Sequence, residues 1–173
     1  MRKQLAILTM ALGMMLSFGA QAQQKIGHIN ADQLLQEMPE TKTAQTQIEE
    51  YGRQLEKDLQ EMEKELQTKI EAFRANEKLM TPLARETKTK EIQELQYRIQ
   101  DYSQKAQEDL QNKQVELLTP IIDKATKAVQ DVAKEKGFTY VLDSSPSKAV
   151  VIFAADNSED MLPLVKAKLG LTE

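Results

Sequence analysis

The sequence predicts an α+β chain that is mostly helical: a long antiparallel coiled-coil hairpin inserted in a small β-containing oligomerisation body. Three observations carry this reading. Apolar residues recur at helical spacing from Ile48 to Val132, interrupted only around Pro82. Thr81-Pro82 falls near the middle of that pattern and suits an N-cap followed by a proline at the first helical position. Runs rich in β-branched and aromatic residues stand only outside it, near Ile26 and after Gly137.

The elements follow in order. Residues 1–22 read as a signal peptide cleaved near Ala22: Arg2 and Lys3 give a basic start, residues 5–20 are apolar, and Ala20-Gln21-Ala22 has the small-x-small form. That apolar run is 16 residues, short of the roughly 20 a spanning helix needs. The mature chain is therefore expected to be exported. Ile26-Gly27-His28-Ile29 reads as a short strand. Asn30 caps a brief helix with Gln33 in capping-box position, and Leu34, Leu35 and Met38 give that helix an apolar side.

The first long helix is expected from about Pro39 into the high seventies. Its apolar stripe is Ile48, Tyr51, Leu55, Leu59, Met62, Leu66, Ile70 and Phe73, so 25 residues pass in seven steps, close to the helical period. The turn lies within residues 76–83. The second helix carries Ile92, Leu95, Ile99, Tyr102, Ala106 and Leu110, then Leu117, Ile121, Ala125, Val129 and Val132. At Thr119-Pro120 it either kinks or restarts, and Gly137 ends it in a left-handed cap. Helical stability comes mostly from packing an apolar face, so the partner of each stripe is the other. Such a rod projects; it does not enclose an active site.

Beyond Gly137, Phe138-Thr139-Tyr140-Val141-Leu142 reads as a strand, Ser144 to Ser147 as a turn, and Ala149-Val150-Val151-Ile152-Phe153 as a second strand covered on both faces. A final helix carries Leu164, Val165 and Leu169, with Pro163 in its first turn and a cap near Asp160. The body is thus split: residues 23–39 and 117–173 bracket an arm at 40–116, whose tip is near 76–83. A body this small buries little surface and exposes strand edges. Association of several copies is the natural remedy, through Ile26, Ile29, Phe138, Tyr140, Val141, Leu142, Val150, Val151, Ile152 and Phe153.

The formal net charge is −4, which argues against nucleic-acid partners. Around the turn the sign reverses. Lys69, Arg74, Lys78, Arg85, Lys88 and Lys90 stand against Glu71, Glu77 and Glu86, a tip of about +3 on acidic shafts. The cluster reads as a capture site for acidic partners or, alternatively, as a solvated turn. Leu79, Met80 and Leu83 are candidates for grip, with packing inside the turn as the other reading. No cofactor, metal or catalytic signature is present. The chain has one His, at position 28 on a strand, and no Cys, and its glycines form no phosphate loop. It does not read as an enzyme.

These pieces resemble the Skp (OmpH) family of periplasmic chaperones over essentially the whole mature length. The resemblance rests on Ile26-Gly27-His28-Ile29-Asn30, on Met38-Pro39-Glu40 and on Pro120-Ile121-Ile122-Asp123-Lys124-Ala125. Its strongest segment runs Val132-Ala133-Lys134-Glu135-Lys136-Gly137-Phe138-Thr139-Tyr140-Val141-Leu142-Asp143. It implies a jellyfish-like homotrimer in the periplasm whose helical arms form a cage, holding unfolded outer-membrane proteins without ATP. The basic cluster at the tip makes an anionic envelope surface a further candidate partner. The chain departs from the pattern in being acidic overall, so the basic tip is what remains of the family's charge. The alternative reading is a structural coiled-coil spacer or docking hairpin of an envelope assembly.

Overall fold

The structure, a computed structural model, describes residues 24–148, 150–155 and 157–171. The expected signal peptide lies outside them. The described elements are β1 (Ile26–Ile29), α1 (Ala31–Glu37), α2 (Pro39–Asn76), a 3-10 turn (Glu77–Leu79), α3 (Pro82–Lys136), β2 (Tyr140–Asp143), β3 (Glu159–Asp160) and α4 (Leu162–Leu169).

Local chemistry sets most boundaries. Asn30 Oδ1 accepts from Gln33 N at 3.0 Å and starts α1. The Gln33 side chain reaches forward to Glu37 at 2.9 Å, so the box is made on one side only. Pro39 opens α2, and Thr81 Oγ1 accepts from Ala84 N at 3.2 Å ahead of Pro82. At the far end of α3, Gly137 adopts φ 71°; its N–H reaches Lys134 O at 3.3 Å and Phe138 N–H reaches Ala133 O at 2.9 Å. That pair of bonds is a Schellman motif, and it throws the chain back toward β2. Pro120 does not restart the helix: α3 is continuous through it. The proline leaves the Glu116 carbonyl without its helical donor.

α2 and α3 form an antiparallel hairpin. Along it Glu40 pairs with Lys124, Gly52 faces Leu110, and Asp58 faces Tyr102. At 1.5 Å per residue the 38 residues of α2 span roughly 57 Å. The predicted stripes are the contact faces. All eight α2 positions are half-buried, and on α3 Leu95 is buried outright.

The core sits at the hairpin's base. Ile29, Leu34, Met38 and Ala44 pack with Ile121, Ala125, Ala128 and Val132 of α3, and Met161, Leu162 and Val165 close the other side. The sheet is parallel, in the order β2-β1-β3, with Ile26 opposite Tyr140 and Ile29 opposite Asp143. Parallel neighbours need a crossover; here the crossover is the whole arm.

Residues 150–153 correct the sequence reading. They form no strand, and in the single chain Ile152 is 95 % and Phe153 83 % exposed, with Val150 exposed and Val151 half-buried. Ala149 lies outside the described residues. The second edge of β1 is taken instead by Glu159–Asp160, held by Met161 N–H donating to His28 O at 2.8 Å and by a Lys25–Glu159 ion pair at 3.5 Å. An apolar run becomes a strand only where it meets a backbone ladder; both edges of β1 are already taken, and the run does not reach the open edge of β2. Phe138 is likewise not in β2, which starts at Tyr140; its N–H is spent on the Schellman cap.

Candidate functional site

At the tip, Met80 N–H donates to Glu77 O at 3.3 Å and the Arg85 guanidinium to the same carbonyl at 3.3 Å, which closes the turn through backbone groups. Two of the three apolar side chains there are not used for packing. Leu79 is 86 % and Leu83 74 % exposed, and Met80 is half-buried. Apolar groups this exposed at the end of a rod are available to another molecule.

The basic residues divide into two groups. Lys69 reaches Glu65 at 3.5 Å, Lys88 reaches Glu91 at 2.8 Å and Lys90 reaches Glu94 at 3.9 Å, all within one helix. Lys88 holds the Glu91 carboxyl below its ordinary value by hydrogen bonding, with Lys69 adding to the effect. Arg74, Lys78 and Arg85 have no acidic partner within 4 Å among the described residues, Arg85 being turned to the Glu77 carbonyl. The tip's cations are therefore partly neutralised by acids of the shafts, and its free positive charge rests on Arg74, Lys78 and Arg85.

Just below the turn a cleft of about 280 Å³ opens between the helices, walled by Phe73, Met80 and Ile92 and edged by Lys69, Lys88 and Glu91. A reading of Phe73 and Ile92 as seam residues does not reveal it, because the cleft is made jointly by residues of both helices and by Met80 of the turn. Lower down, Tyr102 Oη donates to Asp58 at 3.1 Å across the hairpin. Burial, and then this bond, raise the Tyr102 pKa.

The body residues fall on two sides. Ile29 is in the core and Val141 packs against it, whereas Ile26, Tyr140 and Leu142 are exposed. β2 is an edge strand, and between it and α3 lies an apolar cleft of about 450 Å³ lined in part by Ile29, Val129, Phe138 and Val141. His28, on the central strand, sets its ring between Ser158 Oγ (2.9 Å) and Ser144 Oγ (3.4 Å), a structural bridge between the segments flanking the sheet. Among the described residues no group of His and acidic side chains is arranged to hold a metal ion, and no helix is long and apolar enough to cross a membrane.

Residues 25–169 match the family model described as Outer membrane protein (OmpH-like). The chain belongs to this family. OmpH-like relatives carrying the name Chaperone protein Skp align along most of its length. That of Pectobacterium atrosepticum is 26% identical over 166 residues, covering 96% of this chain and 100% of its own. That of Photorhabdus laumondii is 26% identical over 145 residues, covering 84% and 88%. That of Vibrio cholerae is 28% identical over 131 residues, covering 76% and 78%. The fold is that of an OmpH-like protein from Caulobacter crescentus, with a TM-score of 0.72, 16% identity, and coverage of 86% of this chain and 83% of the other.

Proposed function

We propose that this protein is an exported, ATP-independent periplasmic chaperone. It holds unfolded outer-membrane proteins between the helical arms of a homotrimer and so prevents their aggregation. The observation that carries the reading is the arm. It runs roughly 48 Å beyond Ala44 of the core and ends in exposed Leu79 and Leu83 beside the unpaired cations of Arg74 and Lys78. The relatives named as chaperones support it. Several such arms around one client give many weak contacts, so avidity replaces a single tight site. Mostly polar inner walls leave the client mobile.

Assembly rests on the body. β2 leaves one edge unpaired, an apolar cleft runs beside it, and the run at 150–153 stands uncovered in the single chain. Covering those surfaces with further copies removes the edge and the exposed apolar area together. The number three comes from the family resemblance. The test is light scattering of an unfolded β-barrel protein diluted from denaturant. Suppression of scattering that saturates near one trimer per client, without ATP, is expected; no suppression at any ratio overturns the reading and favours a spacer.

A further inference from the structure

We propose that the cleft beneath the tip takes aromatic side chains of unfolded polypeptides, one ring at a time, preferring rings flanked by acidic residues. This deepens the chaperone reading and rests on it. At about 280 Å³ the cleft lies at the small end of the roughly 300–1,000 Å³ typical of ligand pockets, a space for one side chain and not for a bundle of lipid tails. Phe73 offers a ring for edge-to-face or offset contact. Met80, half-buried on the turn, has a flexible and polarisable thioether that adapts to different rings and attracts them. At the edge, the Lys69 and Lys88 ammonium groups favour the π face of a ring over an aliphatic chain.

The flanking preference follows from charge. Across residues 69–90 six basic residues stand against three acidic ones, and Arg74 and Lys78 have no acidic partner among the described residues. Glu91 already shows a carboxylate held by Lys88 at this edge. Outer-membrane barrels present such rings in quantity, because aromatic girdles border their apolar bands.

The chain contains no Trp, so an indole on a probe fluoresces without background from the protein. The probe is a short unstructured peptide with a single Trp between aspartates, titrated against the assembled mature protein. A saturable blue shift is expected, with Phe and Tyr versions of the peptide competing about fivefold better than a Leu version. Ala72, at the cleft and on an exposed helical position, is replaced by Met, a good helix former. Ala72→Met fills the cleft and weakens probe binding about tenfold, with helicity and assembly unchanged. Met80→Ala, outside both helices, is a second variant and erodes the preference for aromatic over Leu peptides. Equal competition by the Leu peptide, or both variants binding like the parent, overturns the proposal. So does a cleft-filling variant that loses binding to anionic phospholipid vesicles while keeping the peptide. If the parent still suppresses aggregation of a barrel protein, only this inference falls; if it does not, the chaperone reading falls as well.

Discussion

Gly27→Ala is expected to destabilise the body, and Gly52→Ala to stabilise the arm. Gly27 lies buried on the central strand, between Val141 and Glu159 in register. A Cβ there would come to 2.8 Å from Met161 Sδ and 2.9 Å from Phe138 Cε1, closer than van der Waals contact allows. Neither neighbour gives way easily. Met161 is fully buried, and Phe138 is tied by its Schellman hydrogen bond and by Lys25 Nζ at 4.2 Å from its ring centroid. Overpacking of this kind costs about 1–3 kcal/mol. Because Gly27 is not in the left-handed region, the alanine recovers about 0.4–1 kcal/mol through the unfolded chain. The net loss is about 1–2 kcal/mol, or roughly 3–6 °C in Tm for a chain of this size.

Gly52 makes the comparison sharp. It too faces a side chain, but a Cβ there meets Leu110 at 3.7 Å, an ordinary contact. In a helix interior the alanine then gains about 0.5–1 kcal/mol. The assay is thermal and denaturant unfolding of both variants at one protein concentration, since assembly makes Tm concentration-dependent. A Gly27→Ala protein as stable as the parent would refute the close approach of β1 to Met161 and Phe138.

Three further expectations concern assembly, capture and pH. Ile152→Asp leaves the single chain's fold unaffected, because this side chain is uncovered there; in the proposed trimer it would remove about 2 kcal/mol of burial at each of three interfaces and weaken assembly by about 10⁴-fold, read by sedimentation equilibrium, and unchanged assembly would show the segment to be peripheral. Arg74→Glu combined with Lys78→Glu turns the tip from about +3 to about −1; capture of an acidic unfolded client in stopped-flow should slow at low salt and converge with the parent at high salt, since exposed charges are screened beyond roughly 10 Å at 0.1 M. Burial alone would raise the Asp143 pKa, but the Ser145 hydroxyl and N–H, the Ala31 N–H and Lys148 together bring it below its ordinary value of 3.8. Its contribution is therefore complete above about pH 4 and is lost as pH falls through the lower folded value. Asp143→Ala should cost about 1–3 kcal/mol at neutral pH and flatten the acid limb of the stability profile, which urea titrations from pH 2 to 7 will show or deny.

What the sequence by itself determined is what local spacing determines. The arm's stripe, the Thr81-Pro82 start, the Asn30 cap and the Gly137 stop are all visible because a helix is built from bonds between residues four apart and a cap from residues within three or four. The tip's charge and apolar residues were legible for the same reason, as a stretch of chain. Tertiary structure decided whatever depends on partners far along the chain. The beginning of α1 is one case: Asp143 and Ser145, more than 110 residues away, accept from Ala31 N and Asp32 N at 3.5 and 3.0 Å, and nothing in the spacing of Asn30 announces them. The sheet is another. The run at 150–153 has the composition of a strand, yet the charged pair Glu159–Asp160 takes the place beside β1. That place is held by the backbone of His28 and the side chain of Lys25, so hydrogen-bond geometry and not hydrophobicity chose the strand. Pro120 marks the same boundary between levels. Its sequence signature is that of a helix start, but Ile121, Ala125 and Val132 anchor the helix in the core on its far side. That packing outweighs the one backbone hydrogen bond the proline removes.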